Sequence, residues 1–194
     1  MPRENFDALE RAVISNSQSR TWSAATLGWE VIGLDEDPNG AGVCVCGHTD
    51  LRWLFNIENR RNGSVLHPIG SVCVNHFERE DLDRDVNVLP RLLAMRAALL
   101  EGENVILTAK FFSRALLEYL EDSGAFPLDQ WNTVDGHEDY WFLLEMFNKR
   151  NKDAHTKGQR WKIRILLRDK VFPFVRSDPR LDSSSTPDRS RSAQ

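Results

Sequence analysis

The chain has 194 residues, of which 41% are hydrophobic and 28% are charged, and its formal net charge is −4 at pH 7. This length allows one sizeable core or two smaller ones. The negative net charge excludes a uniformly basic protein that coats nucleic acid. No stretch approaches the ~20 apolar residues of a membrane span, and the Met-Pro-Arg-Glu-Asn start carries no apolar export segment. We therefore expect a cytoplasmic protein with no membrane partner.

Residues 1–42 are predicted to form two short helices that pack on the segment after them. Apolar residues recur at helical spacing in the first helix (Phe6, Leu9, Ala12 and Val13). A tryptophan-containing stretch from Trp22 to Ile32 predicts the second helix, with a possible extended end at Gly33. The residues from Asp35 to Gly42 are rich in turn formers and lead to the first cysteine.

All three cysteines lie within residues 43–87. Cys44 and Cys46 are separated by one residue, and Cys73 begins a Cys-Val-Asn-His motif. Residues three apart share a helix face, so one helical turn can present Cys73 and His76 together. Zinc prefers four tetrahedral ligands drawn from thiolate sulfur and imidazole nitrogen. The spacing predicts one structural Zn²⁺ ion per chain, held by Cys44, Cys46, Cys73 and His76.

Other interpretations of these residues stay open. His48, two residues after Cys46, is a rival fourth ligand. Three buried free thiols are common enough in proteins to be an alternative. A disulfide would leave one cysteine unpaired, and it needs an oxidising compartment that the sequence does not indicate.

A β-hairpin is predicted between the two halves of this site. Apolar residues alternate in its first strand (Leu51, Trp53, Phe55 and Ile57), and residues 65–69 form the return strand. The Asn62-Gly63 pair favours a tight turn because both residues can take positive φ. Ser71 is a candidate N-cap for the following helix. A knuckle, a hairpin and a ligand-bearing helix in this order resemble a treble-clef zinc finger.

Residues 88–176 are predicted to form a helical domain. Its helices are expected at residues 90–100, around 112–119 with an end at Gly124, around 140–147, and from Thr156 to about Lys170, just before Pro173. Thr156 and Gln159 fit a capping box at the start of the last helix. Residues 177–194 are poor in hydrophobic residues and are predicted to be disordered. The expected fold class is α+β, mostly α.

Charge is strongly segregated in this second half. Between Glu101 and Glu145 there are ten acidic and two basic residues, a net charge of −8. Between Lys149 and Lys170 there are nine basic and two acidic residues, a net charge of +7. Five residues of the last helix recur at offsets 0, 3, 4, 7 and 11, which places them on one stripe: Lys157, Arg160, Trp161, Arg164 and Arg168. We call this set the basic stripe.

The basic stripe has two interpretations. A cationic surface attracts phosphates and an exposed indole can stack on a base, so the stripe predicts DNA or RNA binding. Alternatively, the basic helix packs on the acidic helices and the charges cancel internally. Arg60 and Arg61 at the hairpin tip are a second candidate nucleic-acid contact, with a solvated loop as the alternative. The acidic segment from Glu78 to Asp85 makes groove reading by the finger helix unfavourable.

The chain also resembles a group of small, uncharacterised bacterial and phage or plasmid proteins over about residues 22–175. In the first half the resemblance rests on Trp29-Glu30, Cys44-x-Cys46-Gly47-His48, Ile57-x-Asn59-x-x-Asn62-Gly63 and Pro68-Ile69-Gly70-Ser71-x-Cys73-Val74-x-x-Phe77. In the second half it rests on Gly124-Ala125-Phe126, Asp139-Tyr140-x-Phe142 and the segment from Met146 to Lys152. The resemblance implies an architecture and a bacterial or mobile-element setting, but no activity.

Three functions are compatible with the sequence. The first is a non-catalytic, zinc-stabilised nucleic-acid-binding protein. The second is an adaptor that binds a protein partner through the helical domain. The third is a nuclease of the His-Asn-His type, which shares the treble-clef frame. Its candidate base is His67, with Asn75 and His76 on the helix, but that use of His76 conflicts with a structural zinc site.

Overall fold

A computed structural model describes residues 1–129, 137–151 and 154–182. The chain divides into two compact units, Met1–Leu89 with Pro179–Gln194, and Pro90–Asp178. Helices and a small antiparallel sheet are both present, which confirms the α+β class. Among the described helices, none combines the length and the apolar character that crossing a membrane requires.

The first unit is built on a three-stranded antiparallel sheet. Its elements in chain order are α1 (Arg3–Ser15), α2 (Trp22–Ala25), β1 (Trp29–Glu36), β2 (Trp53–Asn59), β3 (Val65–Ile69), α3 (Ser71–Asn75) and the first part of α4 (Glu80–Leu100). β2 is the central strand and pairs with β1 on one side and β3 on the other. The predicted first helix and the β2–β3 hairpin are confirmed.

The predicted second helix is wrong beyond Gly28. Only Trp22–Ala25 is α-helical, a 3₁₀ turn follows at Thr26–Gly28, and the remaining residues form β1. β1 pairs with β2 along its whole length, from Trp29 opposite Asn59 to Glu36 opposite Trp53, with a bulge between Val31 and Gly33. This non-local pairing overrides the helical spacing of the apolar residues.

The hairpin turn and the helix after it differ in detail from the prediction. Only Gly63 of the Asn62-Gly63 pair has a positive φ, and the N-cap of α3 is Gly70 rather than Ser71. α3 is short, and Glu78 with φ +53° separates it from α4. α4 then runs unbroken through Pro90, where the sequence predicted a new helix to begin.

The core of the first unit lies where the sheet meets the helices. Its fully buried side chains include Trp29, Phe55, Ile57, Ile69 and Leu82. Next to this core, the ring of Trp22 lies 5.5 Å from both Phe6 and Phe77, measured between ring centroids. These aromatic contacts attach the N-terminal helices to the end of α3.

The second unit contains the rest of α4 together with α5 (Arg114–Asp122), α6 (His137–Asn148), α7 (Lys157–Leu166) and α8 (Phe172–Ser177). α5 ends in a Schellman motif: Ala125 N–H donates to Leu120 O, Gly124 N–H donates to Glu121 O, and Gly124 has φ +77°. The predicted stop at Gly124 is therefore confirmed. The buried face of α6 is formed by Asp139, Leu143 and Met146.

The capping box before α7 is confirmed, because Thr156 and Gln159 exchange side-chain-to-backbone hydrogen bonds. The helix does not end before Pro173. Leu167–Val171 forms a π-helical turn that leads directly into α8, and Pro173 lies in the first turn of α8. A π-turn shifts the backbone hydrogen-bond register, so a proline without an N–H is tolerated where a regular helix would break.

The structure also differs from the predicted tail at its beginning. Ser177 ends α8, and Pro179–Leu181 forms a 3₁₀ turn in which Leu181 is only 2% exposed. Arg180 contributes an ion pair with Asp85, at 3.4 Å. The rest of the predicted tail, residues 183–194, lies outside the described residues.

Candidate metal centre and basic surface

A tight knuckle before β2 positions the first two cysteines. Cys44 N–H donates to His48 O, and Gly47 N–H donates back to Cys44 O, both at 2.8 Å. Gly47 has φ +85°, a conformation that favours glycine. Val45 N–H donates to Pro68 O at 2.9 Å and so ties the knuckle to β3. The chain reversal turns Cys44 and Cys46 toward α3.

The three cysteine side chains form one buried cluster, which we call the cysteine triad. Cys73 lies in α3, and its Sγ is 3.4 Å from the Sγ atoms of both Cys44 and Cys46. Two N–H groups donate to the sulfurs: Gly70 N–H to Cys44 at 3.4 Å, and the Asn5 side-chain amide to Cys46 at 3.8 Å. No disulfide is formed. Such N–H···S contacts stabilise thiolates and orient metal ligands.

The triad favours loss of a proton. The hydrogen bond with Cys73 lowers the pKa of the Cys44 thiol, against the opposing effect of burial. The same bond raises the pKa of Cys73, and burial adds to that shift. The hydrogen bond with Cys73 therefore favours the thiolate form of Cys44, which is the form that binds metals.

The geometry of the triad fits a metal ion. The three sulfur atoms all lie within 4.8 Å of one another. Zn–S bonds of about 2.3 Å in a tetrahedron place bound sulfurs about 3.8 Å apart. An outward shift of a few tenths of an ångström would thus admit the ion. Within the described ranges, this is the only group of three or more Cys, His, Asp or Glu residues with that proximity.

Neither candidate histidine joins this group of ligand atoms. The imidazole of His76 packs edge-on against the ring of Phe6, with the ring centroids 5.5 Å apart. The exposed His48 lines a cavity of about 350 Å³ that Cys44 and Cys73 also line. The predicted fourth ligand, His76, therefore lies outside the group of mutually close ligand atoms, and so does His48, although His48 shares a cavity with Cys44 and Cys73.

The basic helix sorts its charges onto two faces. The partly exposed Lys162 and the largely buried Lys170 both pair with the carboxylate of Asp139, at 3.2 and 2.7 Å, and Lys170 also contacts Asp129 at 2.8 Å. Burial lowers the pKa of Lys170, but its hydrogen bonds with Asp129 and Asp139 more than reverse this effect, so the pKa is raised. Asp139, which is only 5% exposed, is the centre of an ion-pair network that the sequence did not predict.

All five residues of the basic stripe are exposed on the other face. Trp161 is 65% exposed. In the parts of the chain that the structure describes, Lys157, Arg160 and Arg164 form no ion pair, although Arg160 donates to His155 O at 2.6 Å. Arg168 pairs with its neighbour Asp169. Internal charge cancellation therefore involves Lys162 and Lys170 rather than the stripe.

The hairpin tip is a weaker candidate surface. Arg60 forms an ion pair with Glu30 on β1, which neutralises its charge. The backbone around Arg61 is held by Gln18 Nε2, which donates to Arg61 O at 3.3 Å. Asn62 likewise donates to Asn16 O at 3.1 Å. The tip is thus packed against the residues after α1, and only the Arg61 guanidinium remains as a possible phosphate contact.

No observation supports the nuclease residues. His67 lies in β3, and its Nδ1 atom is buried without a hydrogen-bond partner, while Asn75 is the last residue of α3. The described residues offer no second metal-ligand group besides the cysteine triad.

No protein-family model, no curated protein and no solved structure matches this chain. The resemblance to small bacterial and phage or plasmid proteins remains a prediction.

Proposed function

We propose that this chain is a non-catalytic nucleic-acid-binding protein whose fold is stabilised by zinc. The observation that carries the proposal is the separation of charge on α7 and the π-turn after it. Lys162 and Lys170 neutralise the buried Asp139, whereas the basic stripe faces solvent. If these cations served only to balance the acidic helices, we would expect them to pair with acidic residues, as Lys162 and Lys170 do.

The stripe has the chemistry of a nucleic-acid contact. Its arginines are four residues apart, which is about 6 Å along the helix axis. Guanidinium groups bind phosphate oxygens in a bidentate manner, and each contact releases condensed counterions. Trp161 lies between Arg160 and Arg164 in sequence and is exposed, so its indole is available to stack on a base.

Zinc is the proposed ligand of the cysteine triad. Three thiols with N–H···S hydrogen bonds suit zinc better than calcium or magnesium, which prefer oxygen ligands. We assign the fourth position to a histidine. The cavity that His48 shares with Cys44 and Cys73 supports His48 over His76, which packs against Phe6. Knuckle, hairpin and α3 would then form a treble-clef finger.

The test is binding of the zinc-loaded protein to labelled DNA and RNA over a range of salt concentrations. We expect log affinity to fall linearly with log salt. The variant Arg160→Glu/Arg164→Glu/Arg168→Glu should lose affinity at every salt concentration. Because each phosphate contact contributes about 0.7–0.9 to the slope, losing three cations should reduce it by about 2.

A matched control is Arg3→Glu/Arg11→Glu/Arg20→Glu, which changes the net charge equally with exposed arginines of the first unit. Equal loss in both variants would show that only net charge matters. No binding by the wild type at low salt would overturn the proposal and favour the adaptor function. Circular dichroism of the stripe variant checks its fold, since unfolding would show that the stripe has a structural role.

A further inference from the structure

A groove of about 420 Å³ runs beside the basic stripe within the second unit. One wall is the segment Asn104–Thr108, and the other is formed by α7, the π-turn and Phe172. Arg160, Arg164 and Arg168 line this groove, so three of the four cations of the stripe border it. Its apolar lining includes Val105, Leu107, Ile163 and Leu167. The volume falls within the range of small-molecule sites.

The lining of this groove includes a buried histidine, His155. This residue is only 7% exposed, and its Nε2 atom is buried without a hydrogen-bond partner. A buried polar atom without a partner is costly unless something else satisfies it. An imidazole nitrogen either donates or accepts, depending on the tautomer. A ligand with a polar edge would complete the hydrogen bonding of His155.

We infer that the groove binds one unstacked base of a single-stranded nucleic acid. This inference rests on the proposed function and specifies its substrate class. A flat ring fits between apolar walls, the edge of the base hydrogen-bonds to His155, and the flanking phosphates contact the three arginines. In a duplex the bases are stacked and paired, so filling the groove would cost unpairing. Binding should therefore favour single strands.

The experiment uses the full zinc-loaded chain and a single-stranded oligonucleotide with one 2-aminopurine, whose fluorescence rises when the base leaves its stack. We expect binding to increase this fluorescence. Ile106→Trp should block the groove, because Ile106 lines it and is 50% exposed. The variant should lose the fluorescence rise and bind about tenfold more weakly, as expected for one lost base contact.

Leu100→Trp is the control, since Leu100 is 74% exposed and does not line the groove. A second comparison needs no variant: wild-type protein should bind a fully abasic strand about tenfold more weakly than a normal strand of the same length. A free mononucleotide that displaces the strand would support the same site.

Equal binding of single strands, duplexes and abasic strands, without a fluorescence rise, would overturn the base-binding inference and leave a phosphate-binding surface intact. If the wild-type protein bound no nucleic acid even at low salt, the proposed function would be overturned, and the groove inference with it. The two failures therefore give different results.

Discussion

At the scale of single residues, the choice between His48 and His76 decides how the proposed metal centre would be completed. The cysteines could be predicted from spacing alone, because a knuckle and one helical turn are local structures. The histidine could not be, because its position depends on packing. The ring of Phe6, which is 70 residues away from His76 in sequence, occupies one side of that imidazole.

We predict that His48→Ala weakens zinc binding at least about tenfold, as removing a ligand or its support does at other metal sites, while His76→Ala has a smaller effect. The measurement is a zinc competition titration against a chromophoric chelator. Cys46→Ser serves as the positive control, because it removes a member of the triad. A larger effect of His76→Ala would restore the assignment made from the sequence.

At the scale of elements, the sequence predicted those segments whose determinants are local. The capping box of α7 links two residues three apart, and the glycine end of α5 is formed by backbone hydrogen bonds between residues at most five apart. The sequence predicts a helix in place of β1 because the residues that pair with β1 lie 17 to 30 positions further along the chain, and spacing at 22, 25, 29 and 32 also suits a helix. The break at Glu78 has no glycine or proline to indicate it.

The groove was not predicted from the sequence, because its two sides come from segments that are far apart along the chain. Asn104–Thr108 lies about 50 residues before His155, and only the fold brings the two segments together. His155 precedes the capping box, but nothing in the local sequence marks it as buried. The clustered arginines were the one visible signal of this surface.

The ion pairs of Asp139 give a prediction at this scale. Lys170→Met should remove one of the two lysines that pair with the buried carboxylate of Asp139 in the described part of the chain. Removing one member of a buried pair costs about 3–5 kcal/mol, and the remaining lysine should hold the loss near the lower value. Urea denaturation measures this loss in the free energy of unfolding.

Lys149→Met is the matched control for Lys170→Met. Its ion pair with Glu145 is exposed, at 3.6 Å and one helical turn apart, so its loss should cost about 0.5 kcal/mol or less. Similar costs for the two variants would show that the Asp139 network contributes little to stability.

At the scale of the whole molecule, the proposed zinc centre and the basic stripe belong to different compact units. The triad lies in Met1–Leu89 and the stripe in Pro90–Asp178. We therefore propose that the metal stabilises the first unit and that the second unit binds nucleic acid. The chain passes from the first unit to the second within α4, between Leu89 and Pro90. It returns to the first unit between Asp178 and Pro179, at the C-terminal 3₁₀ turn.

This division leads to a prediction for metal removal from the intact chain. Chelation should unfold the surroundings of the triad, because the energy of binding a structural zinc ion is folding energy. Amide hydrogen exchange should then accelerate in β2, β3 and α3, while the amides of α7 keep their protection. Salt-dependent nucleic-acid binding should persist in the chelated protein. Unchanged exchange in α3 would refute the zinc assignment, and loss of protection throughout α7 would show that the two units unfold together.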